Sequence, residues 1–212
     1  MTHEPLDQVL VIGLGHKARH GKDTVARLVR RAVIQQTQAD AVTLTFSGDL
    51  KATARAMFGM MSKNGALLQT LGTEVFRAHV NPDIWVNCFA AQVYDLARDL
   101  APDDRLVILV PDVRFPNELA TIKALGGITV RVTRYNADGT VYSADDGRQM
   151  DHVSETSLND AEFDMDIRAP SGDFAALNAG RDRILTAIMQ WLVRTPEPER
   201  KIGFLADVSA GV

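Results

Sequence analysis

Residues 13–24, with the sequence GLGHKARHGKDT, combine glycine and positive charge in a pattern that suits phosphate binding. Aligned on Gly21 and Lys22, they approximate the phosphate-binding loop G-x-x-x-x-G-K-[ST], with His16 at the first glycine position and Asp23 at the hydroxyl position. Such a loop binds phosphates through free backbone N–H groups at a helix N-terminus, where the helix dipole favours an anion. Because the segment lies between a predicted strand and a predicted amphipathic helix, we interpret it as a phosphate-binding loop (P-loop) rather than a basic surface turn.

Asp23, Thr24 and Asp112 carry oxygen atoms that could hold Mg²⁺ beside bound phosphates, since Mg²⁺ prefers hard oxygen ligands. Asp112 follows the apolar run 106–110, LVILV, and open α/β folds bind ligands at the carboxyl ends of such strands. Arg114, two residues further on, could bind a phosphoryl oxygen through its bidentate guanidinium. Two simpler roles stay open: Asp23 could stabilise the first turn of its helix, and Asp112 could cap the next one.

Several side chains after the second predicted strand could bind a second phosphate and a base. Lys51 and Arg55 lie one turn apart on a predicted helix, and Arg77 lies one turn after Thr73 on the next. Trp85 could stack on a base. Solvated helix charge explains Lys51 and Arg55 equally well, and a place in the core explains Trp85 at least as well.

The polar segment 135–151 has no hydrophobic periodicity and is too long for a simple connection. Arg131, Arg134 and Arg148 flank it or lie within it. We predict a lid that closes over ATP and excludes water, with Arg134 as the arginine that reaches the transferred phosphoryl group. A surface loop without such a role is the alternative.

The order of strands and helices predicts how these side chains are positioned. Apolar runs predict strands at 8–14, 41–46, 106–110, 128–133 and 163–167, and periodic segments predict helices at 22–35, 47–60, 66–80, 84–100, 116–125 and 173–193. This alternation predicts an α/β fold, in which helices cover both faces of a parallel sheet. We predict one domain over residues 1–194, with a helical substrate-binding part at about 48–100 and the lid at about 135–151, followed by a tail at 195–212.

Composition and charge bound the class of protein. The 212 residues are 46% hydrophobic and 24% charged, which is typical of a globular chain and excludes disordered, fibrous and coiled-coil proteins. Twenty-three Lys and Arg against 27 Asp and Glu leave a net charge of −4, which disfavours nucleic acid as a partner without excluding it. Cys88 is the only cysteine, so an intrachain disulfide and a multi-cysteine zinc site are excluded. With no predicted signal peptide or membrane span, we expect a cytoplasmic protein.

Five motifs follow one another along the chain, at 21–24 (GKDT), 67–74 (LLQTLGTE), 83–86 (DIWV), 111–114 (PDVR) and 152–156 (HVSET). This ordered set resembles the bacteriophage deoxynucleoside monophosphate kinases over roughly residues 9–192. The resemblance implies the three-layer P-loop NTPase fold, related to that of adenylate and other nucleoside monophosphate kinases, with a helical substrate-side insertion and a lid. It also implies transfer of the ATP γ-phosphoryl group to a deoxynucleoside 5′-monophosphate (dNMP), with Mg²⁺ as cofactor, in the host cytoplasm if the protein is phage-encoded.

The resemblance assigns expected roles to individual residues. The expected ATP-binding residues are Gly15, Lys17, Ala18, Arg19, His20, Gly21, Lys22, Asp23 and Thr24. The expected substrate-binding residues are Lys51, Arg55, Gln69, Thr73, Glu74, Arg77 and Trp85. The expected catalytic residues are Lys22, Asp112, Arg114 and Arg134, and the expected metal ligands are Asp23, Thr24 and Asp112. His16 departs from the family pattern, and its side chain could crowd the phosphates. His152 and Glu155 match family positions, but no role is predicted for them.

The expected acceptor determines which chemistry the site must supply. A phosphate is already an oxyanion near neutral pH, because its second pKa is about 6, so its attack needs positioning and charge neutralisation rather than a general base. One alternative is a kinase acting on a hydroxyl of a modified base in DNA or of a nucleoside, which would use Asp112 or Asp49 as a base. Another is a regulatory nucleotide-binding protein without catalysis. The preferred base is not predicted, and a monomer and a homodimer both stay open.

Overall fold

The computed structural model describes residues 6–143 and 152–194 as a parallel sheet covered by helices. The strands are β1 (Val9–Gly15), β2 (Asp40–Thr43), β3 (Leu106–Val113), β4 (Ile128–Tyr135) and β5 (Met165–Pro170). The helices are α1 (Lys22–Gln36), α2 (Gly48–Phe58), α3 (Gly65–Gln69), a π-helix (Thr70–Arg77), α4 (Ile84–Arg98), α5 (Pro116–Ala124), α6 (Val153–Thr156) and α7 (Phe174–Arg194). Within this part of the chain, no helix combines the length and the apolar character needed to cross a bilayer.

The five strands pair in parallel in the order β2-β3-β1-β4-β5, so the first strand of the chain lies at the centre of the sheet. Its alternate side chains pack on opposite faces, as the strand period of two requires. Ile12 packs with Val29 of α1 and with α7 on one face, whereas Val11 packs with Phe89 of α4 and Ile122 of α5 on the other. The result is the three-layer α/β P-loop NTPase fold that was predicted.

β3 continues to Val113, three residues beyond the predicted strand 106–110. Asp112 therefore lies inside the strand and not after it, which corrects the sequence-based prediction. Pairing continues because Gly15 of β1 lies opposite Val113 after a local shift in register. Pro111 lies within the strand although a proline cannot donate a hydrogen bond to a neighbouring strand.

Three other predicted boundaries differ from the structure. The predicted strand 41–46 ends at Thr43, and the predicted strand 163–167 is observed at 165–170. The single helix predicted at 66–80 is a short α-helix followed by the π-helix. Of the predicted lid 135–151, residues up to 143 form a turn closed by an antiparallel bridge between Tyr135 and Val141. Residues 144–151, including Arg148, and the predicted tail 195–212 lie outside the described residues.

Candidate active site

A cavity of about 350 Å³ lies at the carboxyl ends of β1 and β3, between the P-loop and the helices that follow β2. Among the residues predicted from the sequence, it is lined by Ala18, Arg19, His20, Gly21, Lys22, Asp23, Lys51, Gln69, Thr73, Arg77, Trp85, Asp112 and Arg114. The adjacent positions of β1 and β3 in the sheet explain why residues 90 positions apart (Lys22 and Asp112) reach one site. Ser47, Lys63, Phe115 and Glu155 also line it and had been assigned no role.

The P-loop holds Lys22 in a buried position at the start of α1. Its Nζ donates to the carbonyl oxygen of His16 at 3.1 Å and to that of Lys17, and only 4% of the residue is exposed. Burial and, secondarily, the nearby Arg114 lower the pKa of Lys22 to about 7, whereas nearby carboxylates oppose the shift. Burial therefore destabilises the ammonium form, and a bound anion would stabilise it.

His16 adopts a φ of 92°, in the left-handed region where glycine is favoured, so the backbone keeps the P-loop bend despite the histidine. Its ring lies away from the cavity, with Nδ1 3.4 Å from Thr133 Oγ1 and its centroid 5.5 Å from that of His20. The His16 side chain is therefore not part of the cavity lining. Burial, and secondarily the charge of His20, lowers the pKa of His16 to about 4, so the ring is neutral at pH 7.

His20 connects the P-loop to the end of β4. Its Nδ1 accepts the backbone N–H of Arg134 at 3.3 Å, which leaves Nε2 to donate to the carbonyl oxygen of Tyr142 at 2.9 Å. Both bonds suit a neutral ring, and burial lowers the pKa of His20. His20 thus contributes to the shape of the loop rather than to its charge.

The carboxylate of Asp112 is fixed by the turn before α2. It accepts the backbone N–H groups of Phe46 at 3.1 Å and Ser47 at 3.0 Å, and the hydroxyl of Ser47 at 2.6 Å. These bonds explain why β2 ends early, and why Ser47 does not cap α2 with its side chain. Asp112 therefore ties the sheet edge to the helices on the other side of the cavity.

Arg114 and Glu155 meet beside the P-loop. Arg114 Nη1 donates to Glu155 Oε1 at 2.5 Å, and Glu155 Oε2 accepts the backbone N–H of Ala18 at 2.8 Å. Glu155 lies in α6, which begins after His152, whose Nδ1 accepts the N–H of Ser154 at 3.1 Å. The HVSET motif thus forms a short capped helix whose glutamate reaches the site.

A buried ion pair lies at the far side of the cavity. Arg77 Nη2 is 2.5 Å from Glu118 Oε1, and the Arg77 guanidinium lies 4.1 Å from the centroid of the Phe115 ring. Glu118 Oε2 accepts the backbone N–H groups of Arg114 at 2.7 Å and Phe115 at 3.1 Å. Burial raises the pKa of Glu118 to about 7 although Arg77 lowers it. Sequence reasoning missed Glu118, because nothing in its helical position indicates a partner 41 residues away.

α3, the π-helix and α4 form another wall of the cavity. Gln69 and Thr73 line the cavity there, while Trp85 is only 5% exposed and donates its indole N–H to the Gly72 carbonyl oxygen at 3.0 Å. The Trp85 ring also packs edge-on against Phe76. Trp85 is thus a core residue that contributes one side of its ring to the cavity wall. π-helical turns often occur at functional sites.

The structure does not bring six predicted residues to the cavity wall, namely Gly15, Lys17, Thr24, Arg55, Glu74 and Arg134. Gly15 is packed against the Phe163 ring, and Arg55 and Glu74 are exposed on the helices. Arg134 donates from Nε to Ser171 Oγ at 2.8 Å and lies 4.0 Å from the centroid of the Tyr142 ring, so its guanidinium is directed toward the end of β5.

Three carboxylates line the cavity; Glu155 is bonded to Arg114 and to the P-loop, and Asp23 and Asp112 are the two predicted to hold a metal. Within residues 6–143 and 152–194, no group of three or more His, Cys, Asp or Glu side chains could hold a metal ion. This arrangement fits Mg²⁺, which proteins usually hold with one or two carboxylates plus substrate phosphates rather than with a full protein cage.

The deoxynucleotide monophosphate kinase family model matches residues 33–171, which is more than half of the chain. This chain belongs to the deoxynucleotide monophosphate kinase family. It is a nucleotide kinase, an enzyme that transfers a phosphoryl group from ATP. The match begins inside α1 and includes four of the five motifs, while the P-loop precedes it. The family assignment and the P-loop geometry of the kinase are thus independent observations.

Solved structures similar to this kinase include two of the APS kinase CysC from Mycobacterium tuberculosis. A mutant form has 10% identity and a TM-score of 0.43, and a complex with AMPPNP and APS has 10% identity and a TM-score of 0.45. In each case the match covers 88% of the kinase and 99% of the other chain. A hexameric APS kinase from Thiobacillus denitrificans has 15% identity and a TM-score of 0.41, over 86% of the kinase and 29% of that chain. No curated protein matches the sequence.

Proposed function

We propose that this kinase transfers the γ-phosphoryl group of ATP to the 5′-phosphate of a dNMP, giving ADP and a deoxynucleoside diphosphate. One observation carries the choice of acceptor. The segment from α2 to α4 contributes Lys51, Lys63 and Arg77 to the cavity and, among the described residues, no carboxylate. A phosphate acceptor needs cations there, whereas a hydroxyl acceptor needs a base.

Lys22 and the P-loop backbone form the ATP side of the proposed site. Nζ of Lys22 is bound to two loop carbonyl groups. Exchange of these weak partners for phosphate oxygens would place a full positive charge against the β- and γ-phosphates. Because the pKa of Lys22 is already lowered to about 7 by burial, the incoming anion also favours its protonation.

The acceptor side positions the dNMP by charge and hydrogen bonding. Lys51 and Lys63 bear the charge that the acceptor phosphate needs, and Gln69 and Thr73 face the same cavity with groups that can hydrogen-bond a base or a sugar. Arg114 lies between the two sides and is the candidate to neutralise the phosphoryl group in transfer. Catalysis would then consist of alignment and charge neutralisation.

Asp23 and Asp112 are the proposed residues for Mg²⁺, with Thr24 a further predicted ligand. When bound, Mg²⁺ would neutralise charge on the β- and γ-phosphates. Asp112 is already oriented by its bonds to Phe46 and Ser47, as an outer carboxylate beside a metal usually is. Arg134, the lid and the homodimer stay predictions.

A hydroxyl acceptor is the second candidate function, and the geometry disfavours it. The oxygens of Asp112 accept three hydrogen bonds from the turn before α2, which occupy most of the acceptor positions of this carboxylate. Asp49, the other candidate base, accepts from Gln92 Nε2 at 2.8 Å and does not line the cavity.

A coupled assay of ADP release tests the proposal. Purified protein is supplied with ATP and, separately, dAMP, dCMP, dGMP, dTMP, modified dNMPs, nucleosides and oligonucleotides, with and without Mg²⁺. We expect turnover with at least one dNMP that requires Mg²⁺. Turnover with oligonucleotides or nucleosides alone would overturn the proposal in favour of the hydroxyl kinase, and ATP binding without turnover on any acceptor would support the regulatory protein.

A further inference from the structure

Glu155 is a buried carboxylate that the proposed transfer does not use, although it reaches both sides of the catalytic cavity. We propose that Glu155 is a positioning residue, which fastens the Arg114 guanidinium to the P-loop so that its remaining nitrogens face the phosphates. The inference rests on the proposed function for the identity of the acceptor, but the contacts that carry it do not depend on that identity.

The contacts join three segments that are distant in the sequence. One oxygen of Glu155 accepts from Arg114 Nη1 at 2.5 Å, and the other accepts the Ala18 N–H of the P-loop at 2.8 Å. Both oxygens of one rigid carboxylate are engaged. A shift of the Arg114 guanidinium relative to the P-loop would therefore break one of these two hydrogen bonds. A single side chain thus sets the distance between the ATP-binding loop and the arginine.

The short helix α6 holds Arg114 at further points. Ser154 contributes its carbonyl oxygen to Arg114 Nη1 at 3.3 Å, and the Ser157 hydroxyl donates to the Arg114 carbonyl oxygen at 2.7 Å. Among the described residues, Nε and Nη2 of Arg114 have no hydrogen-bond partner, and Arg114 lines the cavity. Those two nitrogens form the edge that a phosphoryl group can engage with two parallel hydrogen bonds.

Charge gives Glu155 a second reason to be a carboxylate. Lys22 and Arg114 are two cations at one cavity, and Glu155 lies beside both. The negative charge of Glu155 offsets the repulsion between Lys22 and Arg114, so both cations can stay at the cavity without a bound anion. A neutral amide of the same shape would keep the contact with Ala18 but lose this compensation.

A double-mutant cycle on the full chain tests the inference. Wild type, Glu155→Gln, Arg114→Ala and the double variant are compared by kcat and by the KM values for ATP and acceptor, with Glu162→Gln, an exposed glutamate seven residues further on, as the matched control. We expect Glu155→Gln to lower kcat roughly 10- to 100-fold, with a change in the KM for ATP of less than about threefold. In the Arg114→Ala background the same substitution should cost less than about threefold.

An equal loss of kcat in both backgrounds would overturn the inference, because Glu155 would then act independently of Arg114. A rise in kcat or in ATP affinity would also overturn it and make Glu155 a competitor of the phosphates. If Glu155→Gln does not fold, as judged by thermal unfolding, the cycle is measured with Glu155→Asp against the same criterion. If wild type uses an acceptor other than a dNMP, the proposed function fails and the cycle is measured with that acceptor, so the two failures are distinguishable.

Discussion

Arg77 and Glu118 form an ion pair with 2.5 Å between Nη2 and Oε1, while only 10% and 3% of their side chains are exposed. The pair joins the π-helix to the first turn of α5. The other carboxylate oxygen of Glu118 accepts the backbone N–H groups of Arg114 and Phe115. The π-helix and the backbone of Arg114 are therefore attached to one buried carboxylate.

Arg77→Met should destabilise the protein in a pH-dependent manner. Burial raises the pKa of Glu118 to about 7 from an ordinary value near 4.5, so the folded state binds more protons than the unfolded state between these values, and stability falls as the pH rises through about 7. Without Arg77, the ionised carboxylate of Glu118 has no cationic partner in its buried position. The free energy of unfolding should therefore decrease by roughly 3 kcal/mol or more at pH 8 and by less at pH 5. Urea unfolding at the two pH values measures it.

Two variants complete that experiment. Arg77→Met with Glu118→Gln should recover part of the stability, since no unpaired charge is then buried. Arg98→Met removes the exposed arginine that pairs with Asp95 at 3.0 Å and should change stability by less than about 1 kcal/mol. A loss from Arg77→Met that is the same at both pH values would contradict the role of Glu118.

ATP binding should take up a proton through Lys22. The pKa of Lys22 is lowered to about 7, so most of the lysine is neutral at pH 8. Bound phosphates raise this pKa because their negative charge stabilises the ammonium form. His16 and His20 have lowered pKa values and are neutral throughout this range. ATP affinity should consequently fall as the pH rises above 7. Calorimetry at pH 8 in buffers of different ionisation enthalpy measures the uptake.

The matched variants for this prediction are two lysine-to-methionine substitutions. Lys22→Met should abolish the proton uptake and nearly all turnover while the protein stays folded. Lys123→Met alters an exposed lysine on α5 and should leave both unchanged. Proton uptake that persists in Lys22→Met would assign the titration to another group.

His16→Gly should be more stable than His16→Ala. The two variants lose the same ring contacts, but alanine keeps a β-carbon at a φ of 92°, where only glycine is unstrained. The expected difference is roughly 1 kcal/mol in the free energy of unfolding, measured with urea. Because the ring does not line the cavity, both variants should keep a KM for ATP near that of wild type. Equal stabilities would mean that the P-loop relaxes around the alanine.

Trp85→Phe should affect stability more than acceptor binding. The substitution removes the donor to the Gly72 carbonyl oxygen, and leaving a buried acceptor unpaired costs about 1–3 kcal/mol. Gln69→Ala and Thr73→Ala change side chains that face the cavity and should raise the KM for the dNMP about tenfold with little loss of stability. A larger KM effect from Trp85→Phe than from either of these would favour base stacking by the tryptophan.

Local patterns predicted most of the fold. The alternation of apolar runs and periodic helices identified the parallel sheet, and the run before Asp112 together with the loop around Lys22 located the cavity. These features depend on neighbours in the sequence, so a single chain reveals them. The family match over residues 33–171 agrees with the motif order read from the same stretch.

Contacts between distant segments could not be predicted in this way. Ser47 has the sequence context of a helix cap, yet its hydroxyl bonds Asp112, and the early end of β2 follows from that bond. Glu155 was noticed without a role, because its partners at Ala18 and Arg114 lie more than 40 residues away. The π-helix also escaped prediction, since its hydrophobic spacing differs little from that of an α-helix.

The π-helix Thr70–Arg77 carries two functions on one continuous backbone, with Thr73 at the cavity and Arg77 in the buried ion pair. Each residue of a regular helix turns the chain by about 100°. Deletion of a single residue here would swing Arg77 away from Glu118, although every remaining side chain kept its chemical identity. The length of this segment should therefore matter to both contacts, and enzymes of this family that change their preferred nucleotide should differ here by substitution rather than by insertion or deletion.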